Sequence, residues 1–277
     1  YSLANQSLAI ARDLRYDGGI ARALVLMAGV CARTNRTEEA LQYYLEAEEK
    51  LNAGANPAPL MLNKPTLLAV YTGLGDLFFQ EKLYDSAQRY YRQVLELSPQ
   101  QYPIMEKAAD ARLLDMRFDS AEIIYQDLIA YYKAQGNNPK LVQIHQKLAN
   151  AYSSSGNAGK GLYYYLSIEE IVERHGRPEE KAVMYNNMGK QYATLNDYPR
   201  ALEYFTKAEL QCKFITCDYI QVVYANIGIA LHNTGNTKGG IDYLLKARRL
   251  LETQKDWASM ANLEHLMAGV YFSDRDI

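Results

Sequence analysis

The chain has 277 residues, 48% hydrophobic and 22% charged, with 30 basic against 32 acidic side chains and a net charge of −2. That content can bury a large core, and the balanced charge without a basic run excludes the clustered footprint that nucleic-acid binding needs. Three cysteines exclude a disulfide-rich scaffold, and the longest apolar run, 23–32, reaches only about half a membrane span. No starting Met, secretory leader or lipid-anchor motif is present, so the expectation is a soluble segment excised from a longer protein.

In chain order, residues 1–15 read as the second helix of a half repeat. Helix pairs follow over 19–52, 65–99, 101–136, 138–175, 178–212 and 216–253, and 255–273 reads as a first helix without its partner, about fourteen helices in all. Pro57, Pro59 and Pro65 cannot sit inside a continuous helix, which makes 52–65 an inserted loop. Pro199 falls in a first turn, where proline is tolerated.

The pairs are copies of one unit. A small residue followed four positions later by a large one opens each second helix, as Ala40…Tyr44, Ala87…Tyr91, Ala121…Tyr125, Gly161…Tyr165, Ala201…Phe205 and Gly240…Leu244, at steps of 47, 34, 40, 40 and 39 residues. LMAGVC at 26–31 and LMAGVY at 266–271 lie 240 residues apart, six periods on, and so occupy one position of the repeat. On the first helix of 178–212, Tyr185, Met188, Gly189 and Tyr192 share one stripe, with the small residue where two helices approach and the large ones beside it.

Tyr185-x2-Met188-Gly189-x2-Tyr192 followed by Ala201-x3-Phe205 resembles the tetratricopeptide repeat (TPR) pattern, and Tyr71-x2-Leu74-Gly75-x2-Phe78, Ala87-x3-Tyr91 and Pro99 match it more fully. Tyr224-x2-Ile227-Gly228 and His145-x2-Leu148-Ala149-x2-Tyr152 also fit, and Met105-x2-Ala108-Ala109-x2-Arg112 is the weakest copy. The resemblance implies an all-α, right-handed superhelix of antiparallel helix pairs covering the whole chain. Steps near 40 are similar to the longer variant found in signalling scaffolds and bacterial sensor-regulators. It also implies a non-catalytic module in the sensor or scaffold part of a bacterial signalling protein. On that likeness the segment belongs to the periplasmic side of a membrane-anchored regulator, with a cytoplasmic placement as the alternative.

The chemistry-bearing residues do not assemble into a catalytic motif. GNAGKG at 156–161 lacks the Walker spacing and reads as an interhelix turn. Cys212 and Cys217 have no histidine pair nearby and read as ordinary buried cysteines, as does Cys31 in an aromatic slot. His145 reads as a packed core residue, His175 as a cation at a helix end, and His232 and His265 as groove or surface residues. Most of the 24 tyrosines read as core filler with the hydroxyl at the rim. No cofactor and no metal are expected.

Ligands of a solenoid bind its concave face. Rotating the buried stripe by helical phase places Asn186, Lys190 and Thr194, with Asn187 at the edge, on the opposite face of the first helix of 178–212. The same phase gives Gln146 and Asn150 in 138–175, Ile229 and Asn233 in 216–253 with Asn226 at the edge, and Asp76, Glu106 and Asp110 in 65–99 and 101–136. Amides suit the backbone of an extended protein or peptide segment, and the acidic end suits a basic one. Lys190, with Lys147 at an edge, falls short of the Lys and Arg set with which chaperone-adaptor TPR domains clamp a terminal carboxylate. No nucleic acid and no membrane insertion are expected of this segment. The alternatives are a regulatory domain attached to an enzyme such as a histidine kinase, or an oligomerisation module self-associating through the uncapped C-terminal helix.

Overall fold

The computed structural model describes residues 1–52 and 58–275, with side chains described outside 58–62 and 273–275. Among them are fifteen helices and no strand, so the fold is all-α and of the tetratricopeptide type. The chain divides into two compact units, Tyr1–Tyr131 and Tyr132–Ile277.

The first unit contains α1 (Ser2–Asp13), α2 (Asp17–Arg33), α3 (Thr37–Asn52), α4 (Ala58–Gln80), α5 (Tyr84–Leu97), α6 (Tyr102–Leu114) and most of α7 (Phe118–Ala134). Antiparallel partners α2 and α3, then α4 and α5, pack most extensively. The core runs through Leu24, Met27, Ala28, Cys31, Leu74 and Tyr91, all at most 2% exposed. Helix α4 corrects the expected loop at 52–65. Residues 53–57, including Pro57, lie outside the described residues, but a helix begins at Ala58 and continues through Pro65. Pro59 sits in its first turn, where the missing N–H costs nothing. Pro65 removes one ladder bond, and the helix persists because the turns beyond it bury Leu67, Val70, Tyr71 and Leu74.

The second unit contains α8 (Asn138–Ser154), α9 (Ala158–Leu166), α10 (Glu169–His175), α11 (Pro178–Thr194), α12 (Tyr198–Cys212), α13 (Ile220–Asn233), α14 (Thr237–Gln254) and α15 (Trp257–Arg275). Pairs α8/α9, α11/α12 and α13/α14 are joined by three-residue turns. Each turn is closed the same way: Asn157, Asp197 and Asn236 accept a hydrogen bond from the backbone N–H of Lys160, Arg200 and Gly239, at 3.1, 3.2 and 3.0 Å. Gly156, within GNAGKG, adopts φ +82° in the first of these turns, so that stretch is a connector. The expected second helix of 138–175 is split at Ser167–Ile168 into α9 and α10, which brings the count to fifteen. There the backbone tightens, with the Ile168 N–H bonding to the Tyr165 carbonyl at 3.1 Å.

Small residues let helices touch. A Cβ built on Gly189 would lie 2.5 Å from the Phe205 ring, and one on Gly75 2.5 Å from Tyr91. Beside them the tyrosines stack across each pair, Tyr152 on Tyr164 at 5.9 Å and Tyr192 on Tyr204 at 5.3 Å between centroids. His145 is held in the same layer, with Nδ1 2.8 Å from the Leu141 carbonyl and its ring edge-on to Tyr164. Burial holds its imidazolium form below the usual histidine range.

The two copies of LMAGV differ in environment. In α2, Ala28 and Cys31 are completely buried, in a helix that packs on α3. In α15 their counterparts Ala268 and Tyr271 are exposed. Without its partner helix, α15 would leave the equivalent positions Met267, Ala268 and Tyr271 uncovered, and the structure departs from this in one member. Met267 is buried with Leu263 and Val270 in the core that α14 contributes to, because the inner face of α15 follows positions 263, 267 and 270. Trp257, Leu266 and Phe272 remain outside.

Candidate functional site

In the first unit, the acidic residues read as groove residues turn out to have internal partners. Tyr91 donates to Asp76 at 2.8 Å, and Lys107 pairs with the same carboxylate at 2.7 Å. Tyr125 donates to Asp110, and Glu106 is buried at 9% exposure. Of the three, only Glu106 is buried; Asp76 keeps a side chain 38% exposed while paired with Lys107. Asp76 and Asp110 accept the hydroxyls of two fully buried tyrosines, which would otherwise be stranded in a dry interior.

In the second unit, Tyr165 likewise donates to Asn150. The separation in all three bonds is 15 residues. It links the residue after the small position of a first helix to the large anchor of the second. Where the anchor has no hydroxyl, as at Phe205 and Leu244, the residue 15 earlier is Lys190 and Ile229. Three of the four tyrosine anchors thus have an acceptor 15 residues earlier, whereas for Tyr44 that residue is Gly29, and for the hydrocarbon anchors it is of another type. Tyr165 is thus a site-organising residue that the phase argument missed, and the 15-residue spacing is the signal that could have found it.

The remaining members of the row lie on α8, α11 and α13. Asn187 donates from Nδ2 to the Tyr165 hydroxyl at 3.1 Å, so Asn150, Tyr165 and Asn187 form one chain of bonds across α8, α9 and α11. Asn226 donates to Asn186 at 2.9 Å across α13 and α11. Asn186 is only 8% exposed, which corrects its placement on an open face. The repeat step here is 39 residues, so Asn226 occupies the position of Asn187 on the next first helix and reaches the residue beside it, 40 positions back. Lys190, Thr194 and Asn233 are exposed, while Gln146 and Ile229 are half-buried. Thr194 and Asn233 bond back to carbonyls of their own helices, those of Lys190 and Ile229 at 2.9 and 2.8 Å. The structure therefore joins Asn150 to Asn187 and Asn186 to Asn226.

A cleft of about 330 Å³ opens where α8, α10 and the start of α11 meet. Gln143 and Gln146 form part of its wall together with Val142, Ile171, Val172 and His175. Cys212 and Cys217, expected as unpaired buried cysteines, are joined as a disulfide with Cα atoms 5.2 Å apart. Helix α12 ends at Cys212, and the connector to α13 turns back onto it. His232 Nδ1 lies 3.1 Å from the Thr237 hydroxyl, inside the α13–α14 turn.

Antiparallel helix pairs, a small residue of the first under a large residue of the second, and short turns between them define a tetratricopeptide-type repeat protein. Such a fold is a protein-interaction module and typically a non-catalytic scaffold. Residues 68–101 match the tetratricopeptide repeat family model, and no curated protein matches the chain in sequence. Among solved structures, the apo form of RapI aligns with a TM-score of 0.65 at 14% identity, covering 92% of this chain and 87% of that one. A STAND signal-transduction ATPase with a tetratricopeptide repeat sensor, PH0952 from Pyrococcus horikoshii, gives 0.61 at 16% identity, over 97% of this chain and 45% of that one. The apo quorum sensor NprR from B. thuringiensis gives 0.57 at 11% identity, over 94% and 73%. These likenesses establish the fold. Among the described residues no helix is long and apolar enough to cross a membrane.

Proposed function

We propose that the second unit binds an extended segment of a partner protein or peptide along α8, α11 and α13, as the sensing or scaffolding part of a signalling protein. The observation that carries this reading is the row of polar side chains tied between helices: Asn150, Asn187 and Asn226, with Lys190 exposed at its centre. A primary amide can make up to four hydrogen bonds, and each of these uses one to fix its own orientation. Pre-oriented amides lower the ordering cost of holding a peptide backbone, and Lys190 supplies a point charge for a carboxylate. Two of the fold neighbours, NprR and PH0952, are described as sensors, which agrees with this role.

The test uses Asn187→Ala with Lys190→Ala, because Asn186 is buried and its removal would strand Asn226. Hydrogen bonds of this kind contribute about 0.5–1.5 kcal/mol each. The double variant is therefore expected to weaken a partner captured from the native host by about 1–3 kcal/mol, read by titration calorimetry, with an unchanged helical spectrum. Wild-type affinity in that variant would reject this face as the binding surface.

A further inference from the structure

The cleft between α8, α10 and α11 is separate from the row of amides but shares a wall with it. Its floor is aliphatic, made by Val142, Ile171 and the buried Val172. Its rim carries the amides of Gln143 and Gln146, and Gln146 belongs to the polar row itself. The cleft forms where the second helix of the repeat is broken. The short α10 packs on α8, α9 and α11 at once, so the space faces the first helices, where the proposed ligand runs.

The charge on this wall is compensated. Glu180 borders the cleft, but its carboxylate takes the Arg177 backbone N–H at 3.1 Å and the Arg177 guanidinium at 2.9 and 3.1 Å. With His175 exposed at its edge, an aliphatic floor beside a neutralised acid and an amide rim favours an uncharged occupant, since burying an unpaired charge is costly. A volume near the lower end of ligand pockets, about 300 Å³ and up, suits one bulky side chain and not a large cofactor.

We infer that this cleft is a specificity pocket that takes one large uncharged side chain, of the leucine, methionine or phenylalanine class, from the peptide held along α8, α11 and α13. The inference rests on the peptide-binding reading. Gln143 and Gln146 hold the backbone on either side of the inserted residue, and the cleft sets which residue occupies that position.

The probes are capped pentapeptides Gly-Ser-X-Ser-Gly with X as Leu, Phe, Lys or Asp, titrated into the whole chain labelled at Ile and Val methyls and at backbone amides. The Leu and Phe peptides are expected to bind at least about five-fold more tightly than the Lys and Asp peptides, with dissociation constants on the order of millimolar, and to shift the methyls of Val142, Ile171 and Val172. In Val142→Trp, which fills the cleft from its half-exposed wall, the preference should vanish while amide shifts at Asn187 and Lys190 remain. In Asn187→Ala with Lys190→Ala, the peptides should weaken, the Asp peptide at least as much as the others, and the preference for Leu and Phe should persist. Equal binding of the four peptides to the wild type, or an unchanged preference in a folded Val142→Trp, overturns the pocket. Preference intact but no weakening in the double variant overturns the peptide row and leaves the pocket standing. Should Val142→Trp fail to fold, Gln146→Ala combined with the wild-type methyl shifts serves: saturable shifts confined to residues away from Val142, Ile171 and Val172 reject the pocket by themselves.

Discussion

Truncation of Phe205 to alanine is expected to destabilise the second unit by about 3–5 kcal/mol. The ring is 2% exposed and lies between Ala201 and Ala208, both fully buried on the same face of α12. It rests against the backbone of α11 at Gly189, so close that even a methyl group there would sit 2.5 Å from the ring. A cavity bordered by main chain cannot close by rotamer changes, which places this site toward the costly end of large-to-small substitutions. For a unit of this size the loss corresponds to a fall in Tm of roughly 6–20 °C. Urea denaturation followed by circular dichroism measures it. A loss below about 1 kcal/mol would mean that α11 and α12 collapse onto each other, contrary to the contact described. Gly189→Leu should be similarly harmful from the opposite side, because the added side chain has only the ring to displace.

The same contact explains why the fold could be read from the sequence. Gly75 under Tyr91, Gly189 under Phe205 and Gly228 under Leu244 leave a periodic trace of small and large residues that no isolated helix requires. The candidate site was less legible, for a geometric reason. A rotation of 100° per residue finds the face opposite one buried stripe, yet a first helix in a stack meets several neighbours. Asn186 lies opposite part of the stripe and is still buried, because α13 brings Asn226 to it. Asp76 and Asp110 look like free acids in the sequence, but each serves a buried hydroxyl 15 residues later. The cleft could not be foreseen, since it depends on the break after α9, and Ser167 and Ile168 carry no proline or glycine to announce one. Pro65 misled in the opposite sense, by announcing a break that the packing of Val70, Tyr71 and Leu74 overrides.

Above about pH 10 the chain is expected to lose stability steeply, its first unit unfolding near pH 12, as buried tyrosines are forced to ionise. Tyr91, Tyr125 and Tyr165 are at most 2% exposed. Burial raises each phenol above its ordinary value, and the carboxylates of Asp76 and Asp110 raise those of Tyr91 and Tyr125 further. Tyr165 is pushed up to about 12, burial outweighing the opposing hydrogen bond from Asn187. The sign follows from proton counts. Below pH 10 both folded and unfolded chains keep these phenols neutral, so they give no pH dependence. Above it the unfolded chain releases protons that the folded chain retains, and stability falls by about 1.4 kcal/mol per pH unit for each such tyrosine. Tyr165 alone removes about 2.3 kcal/mol from the second unit by pH 12, and Tyr91 with Tyr125 act together on the first. Against a typical total of about 5–15 kcal/mol, the first unit, which loses about 5 kcal/mol by pH 12, reaches the edge of unfolding first, and the second is weakened. Absorbance at 295 nm and ellipticity at 222 nm, followed together from pH 8 to 12.5, provide the test. Part of the phenolate signal should appear only as helicity is lost, in one shared step. Tyr165→Phe should make the alkaline limb of the second unit shallower, at the cost of Asn150 and Asn187 losing the hydroxyl that joins them. If all the tyrosines titrate near pH 10 with helicity intact, the three hydroxyls are not sealed beneath the first helices.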